Sequence, residues 1–142
     1  MVRINLIDPR NLADQHLIAE YDEILMLLAY VKKYPKEDNI PIEYCLGKGH
    51  IRFFKNKLLY LKKRHELLKK EMKKRGFKAK KTIDLKQFPS KLVKDWKPKI
   101  KDIAIIKKRI IQRIIKKPRW YRYYKTNRSK KFLVDLIKKA GI

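Results

Sequence analysis

The sequence predicts an all-α protein: a single compact domain over residues 1–142, with three main helices and a short C-terminal helix over residues 129–142. In each long segment the apolar residues recur every three or four positions, which is the repeat of one helix face. Almost no segment alternates apolar with polar residues as a half-buried strand does. The 142 residues and the hydrophobic fraction of 44% suit one domain around one core.

The first helix is predicted to run from about Pro9 or Asn11 to Tyr34. Asp8 and Pro9 form a helix-start signal, because an acidic side chain caps free amides and the fixed φ of proline suits a first turn. Pro35 ends the helix because its ring clashes with the preceding turn. The apolar stripe of this helix consists of Ala13, Leu17, Tyr21, Ile24, Leu28 and Val31.

A face beside this stripe carries the most reactive side chains of the first helix. His16, Glu20 and Glu23 follow one another at intervals of four and three residues, so their side chains are neighbours on the helix surface. An imidazole and carboxylates on one rigid helix are suited to proton transfer. The spacing alone nevertheless favours the ordinary interpretation, in which Glu23 is only a polar surface position.

The second helix is predicted to follow the Gly-Lys-Gly-His sequence of residues 47–50 and to end at Gly76. Cations just before Gly76 suit the negative end of a helix, and glycine is the usual residue after it. Gly-Lys-Gly could also cradle a phosphate with its N–H groups, although a simple helix start is the favoured interpretation. The apolar stripe consists of Phe54, Leu58, Leu61, His65, Leu68 and Met72.

The remaining segments are less regular until residue 100. Residues 78–99 contain two prolines, and only residues 90–96 are expected to form a short helix. A third helix ends at Pro118, and a last short helix is predicted between Ser129 and Gly141. The apolar stripe of the third helix is Ile103, Ile106, Ile110 and Ile114.

Two groups of residues near the third helix each have two interpretations. Arg109 and Arg113 lie one turn apart, so they are either solvated charges or a grip on two adjacent phosphates. Residues 120–124 (Trp-Tyr-Arg-Tyr-Tyr) interleave aromatic rings with Arg122. These rings either pack a helix end against the core or stack on nucleobases while Arg122 binds phosphate.

The charge of the chain indicates its partner. Forty Lys and Arg oppose fourteen Asp and Glu, which gives a formal net charge of +26. Such a charge repels itself unless an anion covers it, and nucleic acid is the favoured anion. A lysine-rich solvated surface and, less favoured, a membrane surface are the alternatives. No apolar run has the length of a membrane span or a signal peptide, so we expect no membrane partner and a reducing cytoplasm.

Several enzyme classes lack their signatures in this sequence. The three histidines (His16, His50 and His65) are scattered and Cys45 is the single cysteine, so we expect no metal, no cofactor and no disulfide. No glycine elbow surrounds a serine, and no dinucleotide or Walker fingerprint is present. With no apolar stripe to spare, the default expectation is a monomer.

Motifs over most of the chain resemble one protein family. They comprise Arg-Ile-Asn-Leu at residues 3–6, Leu-Ala-Asp-Gln-His-Leu at 12–17, Ala-Glu-Tyr at 19–21 with Glu23, Leu-Gly-Lys-Gly-His at 46–50, Phe-Phe at 53–54, Lys-Leu at 57–58, Leu61, Lys-Arg at 63–64, Arg-Gly-Phe at 75–77, and Pro118 with residues 120–124. In this order the chain resembles the phage endonuclease V-type pyrimidine dimer DNA glycosylases up to Tyr124. The first motif is the most specific of them.

The resemblance implies a base-excision repair enzyme without a cofactor, acting on double-stranded DNA at the nucleoid. Such an enzyme cuts the glycosidic bond of the 5′ base of a cyclobutane pyrimidine dimer and then nicks the strand at the abasic sugar. In this family the nucleophile is the α-amine of the mature N-terminus, which is Val2 here once Met1 is removed. An α-amine has an ordinary pKa of about 8, so a useful fraction is neutral and nucleophilic at physiological pH.

By the same resemblance, Glu23 is the catalytic carboxylate. The residues expected to bind DNA or to support the active site are Arg3, Gln15, His16, Lys48, Arg109, Arg113, Lys117, Trp120, Tyr121 and Arg122. The chain departs from the family pattern at Asp22 and Met26, where the phage enzyme carries arginines on the phosphates beside the lesion. We expect Lys48, Arg52 or Lys55 to take over that contact.

These departures leave two other functions open. One is a lyase for abasic sites or another lesion, without specificity for dimers, because Asp22 repels a phosphate beside Glu23. The other is a basic protein that binds DNA or RNA without catalysis. The first keeps the strand-cutting chemistry and the second loses it.

Overall fold

The computed structural model describes residues 3–141, and this part of the chain folds into five α-helices and one small hairpin. The all-α prediction is therefore confirmed. The helices are α1 (Asp14–Lys33), α2 (Gly49–Phe53), α3 (Leu58–Lys74), α4 (Ile100–Lys116) and α5 (Lys130–Lys139). The hairpin pairs β1 (Arg122–Tyr123) with β2 (Thr126–Asn127) in antiparallel register. Along the core, α1 packs against α3, and α4 packs against α5.

The first helix begins later than predicted. Asp8 accepts a hydrogen bond from the N–H of Arg10 at 2.9 Å, as a capping acid should, but the helix it caps is a single 3₁₀ turn at Pro9–Asn11. Leu12 is then extended, with φ −85° and ψ 142°, and α1 starts only at Asp14. Asp8 and Pro9 do start a helix, but that helix is the separate 3₁₀ turn and not α1.

The predicted second helix is divided into α2 and α3. Lys57 leaves helical geometry at φ −124° and ψ 40°, and its ammonium donates to the carbonyl of Phe53 at 2.8 Å. Phe53 and Phe54, which lie just before this break, are both buried in the core.

The short helix predicted over residues 90–96 was wrong. The segment forms only a 3₁₀ turn at Ser90–Leu92, and Val93 then pairs with Lys57 as an isolated β-bridge. Trp96 packs edge-on against Phe53 and Tyr60, with ring centroids 5.1 Å away in both cases. The segment is thus fixed by contacts with distant parts of the chain and not by a helical repeat of its own.

Two buried arginines tie the N-terminal third of the chain to α3. Arg64 forms a bidentate ion pair with Glu20, at 2.7 and 3.0 Å, and also donates to the carbonyl of Ile7. Arg75 pairs with Glu71 at 2.8 Å and with Asp14 at 2.9 Å. Buried charges with every hydrogen bond satisfied fix one arrangement, because removing one partner leaves an uncompensated charge.

The hairpin after α4 was not predicted. Its turn residues, Tyr124 and Lys125, have positive φ of 51° and 64°, which is uncommon for residues other than glycine. Asp14 explains their conformation, because its carboxylate accepts the N–H groups of Tyr124 at 3.1 Å and Lys125 at 2.7 Å. The start of α1 therefore holds the aromatic segment in place. Among residues 3–141, no helix is long and apolar enough to cross a membrane.

Candidate active site

Glu23 lies half-buried on α1 at the wall of a cleft of about 360 Å³. Burial raises the pKa of Glu23 above its ordinary value, and the positive charge of Arg3 opposes part of this rise. A carboxyl group poised in this way can exchange protons nearer neutral pH than an exposed one. The cleft is lined by Glu23, Met26, Leu27 and Tyr30 of α1, with Lys48, Ile51 and Arg52 on the opposite side.

Arg3, whose charge acts on this carboxylate, also interacts electrostatically with an arginine of α4. Burial lowers the pKa of Arg109, and the charges of Arg113 and Arg3 lower it further. Arg3 is the member of the group that also acts on Glu23. Arginine is charged at any physiological pH, so these three residues concentrate positive charge. Arg3 thus connects Glu23 to Arg109 and Arg113 electrostatically.

His16 lies behind this group and is not ionised at neutral pH. Burial lowers the pKa of His16 to about 4, with further lowering by Arg109 and Arg113. Its ring is tilted against the buried ring of Tyr121, with centroids 4.6 Å apart. A neutral imidazole adds no charge to the arginines and can still donate or accept a hydrogen bond. Tyr121, predicted as an active-site residue, thus reaches the site through its contact with His16.

The side chain of Gln15 stabilises the segment that carries Tyr121 with two hydrogen bonds. Its side-chain amide donates to the carbonyl of Trp120 at 2.6 Å and accepts from the N–H of Arg122 at 2.9 Å. Both polar atoms of the amide are occupied by the backbone on either side of Tyr121. Gln15, predicted to bind DNA or to support the active site, therefore has a structural role in the arrangement described here.

The aromatic segment contains rings that pack on the protein and side chains that face solvent. Tyr123 and Tyr124 pack on the guanidinium of Arg75, whose carbon lies 4.6 and 4.8 Å from their ring centroids, although Tyr124 remains 38% exposed. Trp120 instead remains 62% exposed and shares a shallow depression with Lys117. Arg122 is exposed as well. Trp120, Lys117 and Arg122 thus form an outer surface that is available to a ligand.

Two of the sequence expectations need correction. Glu20 does not belong with Glu23, because it is fully buried in its ion pair with Arg64. Lys55 does not line the cleft, because its side chain is buried and pairs with Asp38 at 3.4 Å. Lys48 and Arg52 do line it, on the side that faces Glu23.

The N-terminal segment is held in place by residues that sequence reasoning did not assign to the site. Val2 lies outside the described residues, so its predicted role is a matter for the proposal below. Ile4 is buried, and its N–H donates to Nε2 of His50 at 2.9 Å, while the hydroxyl of Tyr44 donates to its carbonyl at 3.3 Å. In the sequence, His50 belongs to a glycine-rich turn and to one of the family motifs, but it was not predicted to be a site residue. Its pairing with Ile4, 46 residues away, has no signal in the sequence.

No group of three or more His, Cys, Asp or Glu side chains within residues 3–141 has the arrangement of a metal site. What the site provides is a half-buried carboxyl group, a concentration of guanidinium groups and a cleft with lysine and arginine on its far side. These are the features of an enzyme that acts on a polyanionic substrate.

The comparison with protein families identifies the class of substrate. The family model for pyrimidine dimer DNA glycosylase matches residues 1–85, which is more than half of the chain. The chain therefore belongs to the pyrimidine dimer DNA glycosylase family, and DNA repair is the function this family supports. The matched region contains Glu23, Arg3, His16 and Lys48. Arg109, Arg113 and the aromatic segment lie beyond it.

Proposed function

We propose that this protein is a DNA glycosylase with a linked abasic-site lyase activity on cyclobutane pyrimidine dimers in duplex DNA. The observation that carries the proposal is Glu23, a carboxyl group with a raised pKa that is coupled to Arg3 of the N-terminal segment. An acid–base group next to the start of the chain suits chemistry in which the terminal amine is the nucleophile. That amine belongs to Val2 after removal of Met1.

The reaction proceeds through covalent intermediates between the N-terminal amine and C1′ of the sugar. The neutral amine attacks C1′ of the sugar that carries the 5′ base of the dimer, and the glycosidic bond breaks with its electron pair leaving on the base, which takes up a proton. Opening of the sugar ring gives an imine between C1′ and the amine. Loss of a proton from C2′ then breaks the bond between C3′ and its oxygen, so the strand is cut by β-elimination. No step needs a metal or an organic cofactor.

Glu23 has two tasks in this sequence. As a carboxylate it stabilises the positive charge that develops on the sugar and on the protonated imine. As a group with a raised pKa it can transfer protons during base departure and elimination. Both tasks need a position beside the cleft and not in the interior, which separates Glu23 from the fully buried Glu20.

The cationic residues bind the phosphates of the DNA. Arg109 and Arg113 lie one turn apart on α4, which suits contacts with neighbouring phosphates. Lys48 and Arg52 occupy the opposite side of the Glu23 cleft. Trp120 and Arg122 extend the surface outward, where an exposed indole can stack on a base.

The proposal is tested by replacing Glu23 with Gln, which keeps the shape of the side chain and removes its charge. On a duplex with a single dimer, Glu23→Gln is expected to lose cleavage of the glycosidic bond and cutting of the strand by a factor of about 10² or more while binding remains. Glu66→Gln is the matched control, because Glu66 is an exposed glutamate on α3. Equal activity of the two variants would contradict the role of Glu23.

A second candidate function is favoured by the cleft itself. Met26 is 65% exposed at its wall, and Asp22 is exposed on the same helix, one residue before Glu23. An acidic and an apolar residue in these places weaken a grip on phosphates beside a bulky lesion. The alternative is a lyase for abasic sites without specificity for dimers. Normal nicking of an abasic duplex with no cutting of the glycosidic bond in a dimer duplex would establish it and reject the leading proposal.

A further inference from the structure

The peptide of Ile4 is held at both of its polar groups by the segment that leads into α2. Its N–H donates to Nε2 of His50 at 2.9 Å, and its carbonyl accepts the hydroxyl of Tyr44 at 3.3 Å. The two side chains support each other, with ring centroids 5.5 Å apart in an edge-on arrangement. Ile4 is itself fully buried. The start of the described chain is thus clamped by two side chains from one loop.

The two hydrogen bonds of His50 fix the tautomer and the orientation of its imidazole ring. Since Nε2 accepts a hydrogen bond from Ile4, the ring proton must lie on Nδ1, which is 3.0 Å from the carbonyl of Cys45 and donates to it. Both ring nitrogens therefore have partners, and the imidazole cannot rotate without losing both of them. Burial lowers the pKa of His50 to about 4, so the neutral form that accepts from Ile4 is present at physiological pH.

The clamp links the N-terminal segment to the wall of the Glu23 cleft. His50 is on α2, and the next two residues of that helix, Ile51 and Arg52, line the cleft opposite Glu23. The amine of the proposal precedes Ile4 by two residues along the chain, and two residues span at most about 7 Å. A nucleophile that must attack one carbon atom needs such restriction, because a displacement of about 1 Å can cost about 10²-fold in rate.

We infer that His50, assisted by Tyr44, is a positioning residue that holds the N-terminal α-amine in line with Glu23 and the sugar of the DNA. This inference rests on the proposed function, because it presupposes that the amine is the nucleophile. His50 acts through the backbone of Ile4 and does not touch the reacting atoms. Its loss should therefore slow formation of the imine and leave DNA affinity unchanged.

A matched pair of substitutions separates the two hydrogen bonds of His50. In His50→Gln the longer amide reaches the place of Nε2, so its oxygen can accept from Ile4. In His50→Asn the shorter amide reaches the place of Nδ1, keeps the contact with Cys45 and loses the contact with Ile4. Borohydride trapping of the imine on a duplex with one abasic site measures the rate, and titration of the same duplex without borohydride measures affinity.

The expected result is a trapping rate about 10- to 100-fold lower for His50→Asn, recovery to within about threefold for His50→Gln, and the same DNA affinity for both. Trapping rates that fall equally in the two variants, or only in proportion to a lowered melting temperature, would overturn the inference. If His50→Asn does not fold, Tyr44→Phe decides, since it removes only the hydroxyl on the Ile4 carbonyl. An unchanged trapping rate in Tyr44→Phe would then overturn the clamp, and a lower rate at the same affinity would support it.

Trapping with the wild-type protein distinguishes a failure of this inference from a failure of the proposed function on which it rests. If the wild type forms no adduct, the amine mechanism is rejected, and the catalytic role of His50 is rejected with it. If the wild type and both variants form adducts at one rate, the proposed function stands and the positioning role alone fails.

Discussion

Arg75 and Asp14 form a buried ion pair at 2.9 Å that joins the end of α3 to the start of α1. Through the same carboxylate, Asp14 accepts the N–H groups of Tyr124 and Lys125 in the hairpin turn. Arg75 also donates to the carbonyls of Leu12, Pro9 and Arg10. One arginine and one aspartate therefore fix three parts of the chain around the candidate active site.

Replacing Arg75 with Met is expected to lower the free energy of unfolding by about 3–5 kcal/mol, because Asp14 and Glu71 remain buried without their partner. Urea unfolding measures the change. The control is Lys74→Met, an exposed neighbour, with an expected effect of about 0.5 kcal/mol or less. A loss below about 1 kcal/mol for Arg75→Met would mean that the network contributes no more than a surface ion pair.

Gln15→Ala should loosen the segment around Tyr121 without unfolding the protein. The N–H of Arg122 loses its acceptor, and the carbonyl of Trp120 loses its donor. Amide hydrogen exchange at Arg122 is expected to become faster by about tenfold, which corresponds to about 1 kcal/mol for one hydrogen bond. Gln112→Ala, at an exposed position on α4, should leave that exchange rate unchanged. Equal protection of the Arg122 amide in both variants would contradict this stabilising role of Gln15.

His65 makes the stability depend on pH. Burial lowers its pKa to about 4 from an ordinary value of 6.5, and its ring stacks on Tyr21 with centroids 4.4 Å apart. Between these two values the unfolded chain binds a proton that the folded chain does not, so stability falls as the pH is lowered through this window. His65→Phe removes one such group.

The expected result is a smaller loss of stability in His65→Phe than in the wild type when unfolding is measured at pH 7 and at pH 4.5. His16 and His50 also have pKa values lowered to about 4, so part of the pH dependence will remain. The same loss in both proteins would show that His65 is protonated in the folded state.

Arg113 is predicted to contribute charge to DNA binding. Arg113→Met should weaken binding to any duplex by a similar factor and reduce the slope of log affinity against log salt by about 1, because one fewer counterion is released. Lys70 lines a different cleft, beside Arg10 and Trp96, so Lys70→Met serves as the control. If the salt slope changes as much in the control as in Arg113→Met, the DNA does not bind preferentially at Arg113.

The helices were predictable because their repeats are local. The apolar stripes locate α1, α3, α4 and α5, and Gly76 marks the end of α3 with a positive φ of 86°. The stripe of the second predicted helix continues across the break at Lys57, so periodicity alone could not reveal it. The hairpin could not be predicted for another reason, because its turn depends on Asp14, 110 residues away from Tyr124.

The candidate site was predictable only in part. Glu20 and Glu23 are equivalent by spacing, and only the pairing of Glu20 with Arg64, 44 residues along the chain, shows which one faces the cleft. The resemblance to a family pointed to Glu23 and Arg3, whereas His50 and Tyr44 emerged from their contacts with Ile4. Contacts between distant residues decide such roles, and one sequence contains no record of them.

The most direct test of the central claim is borohydride trapping on a duplex with one abasic site, using protein whose first residue has been read by mass spectrometry. The account predicts a covalent adduct between the DNA and the α-amine of Val2, together with its loss when that amine is blocked by acetylation. Protein that begins at Val2 and gives no adduct, or an adduct that maps to a lysine, would contradict the account.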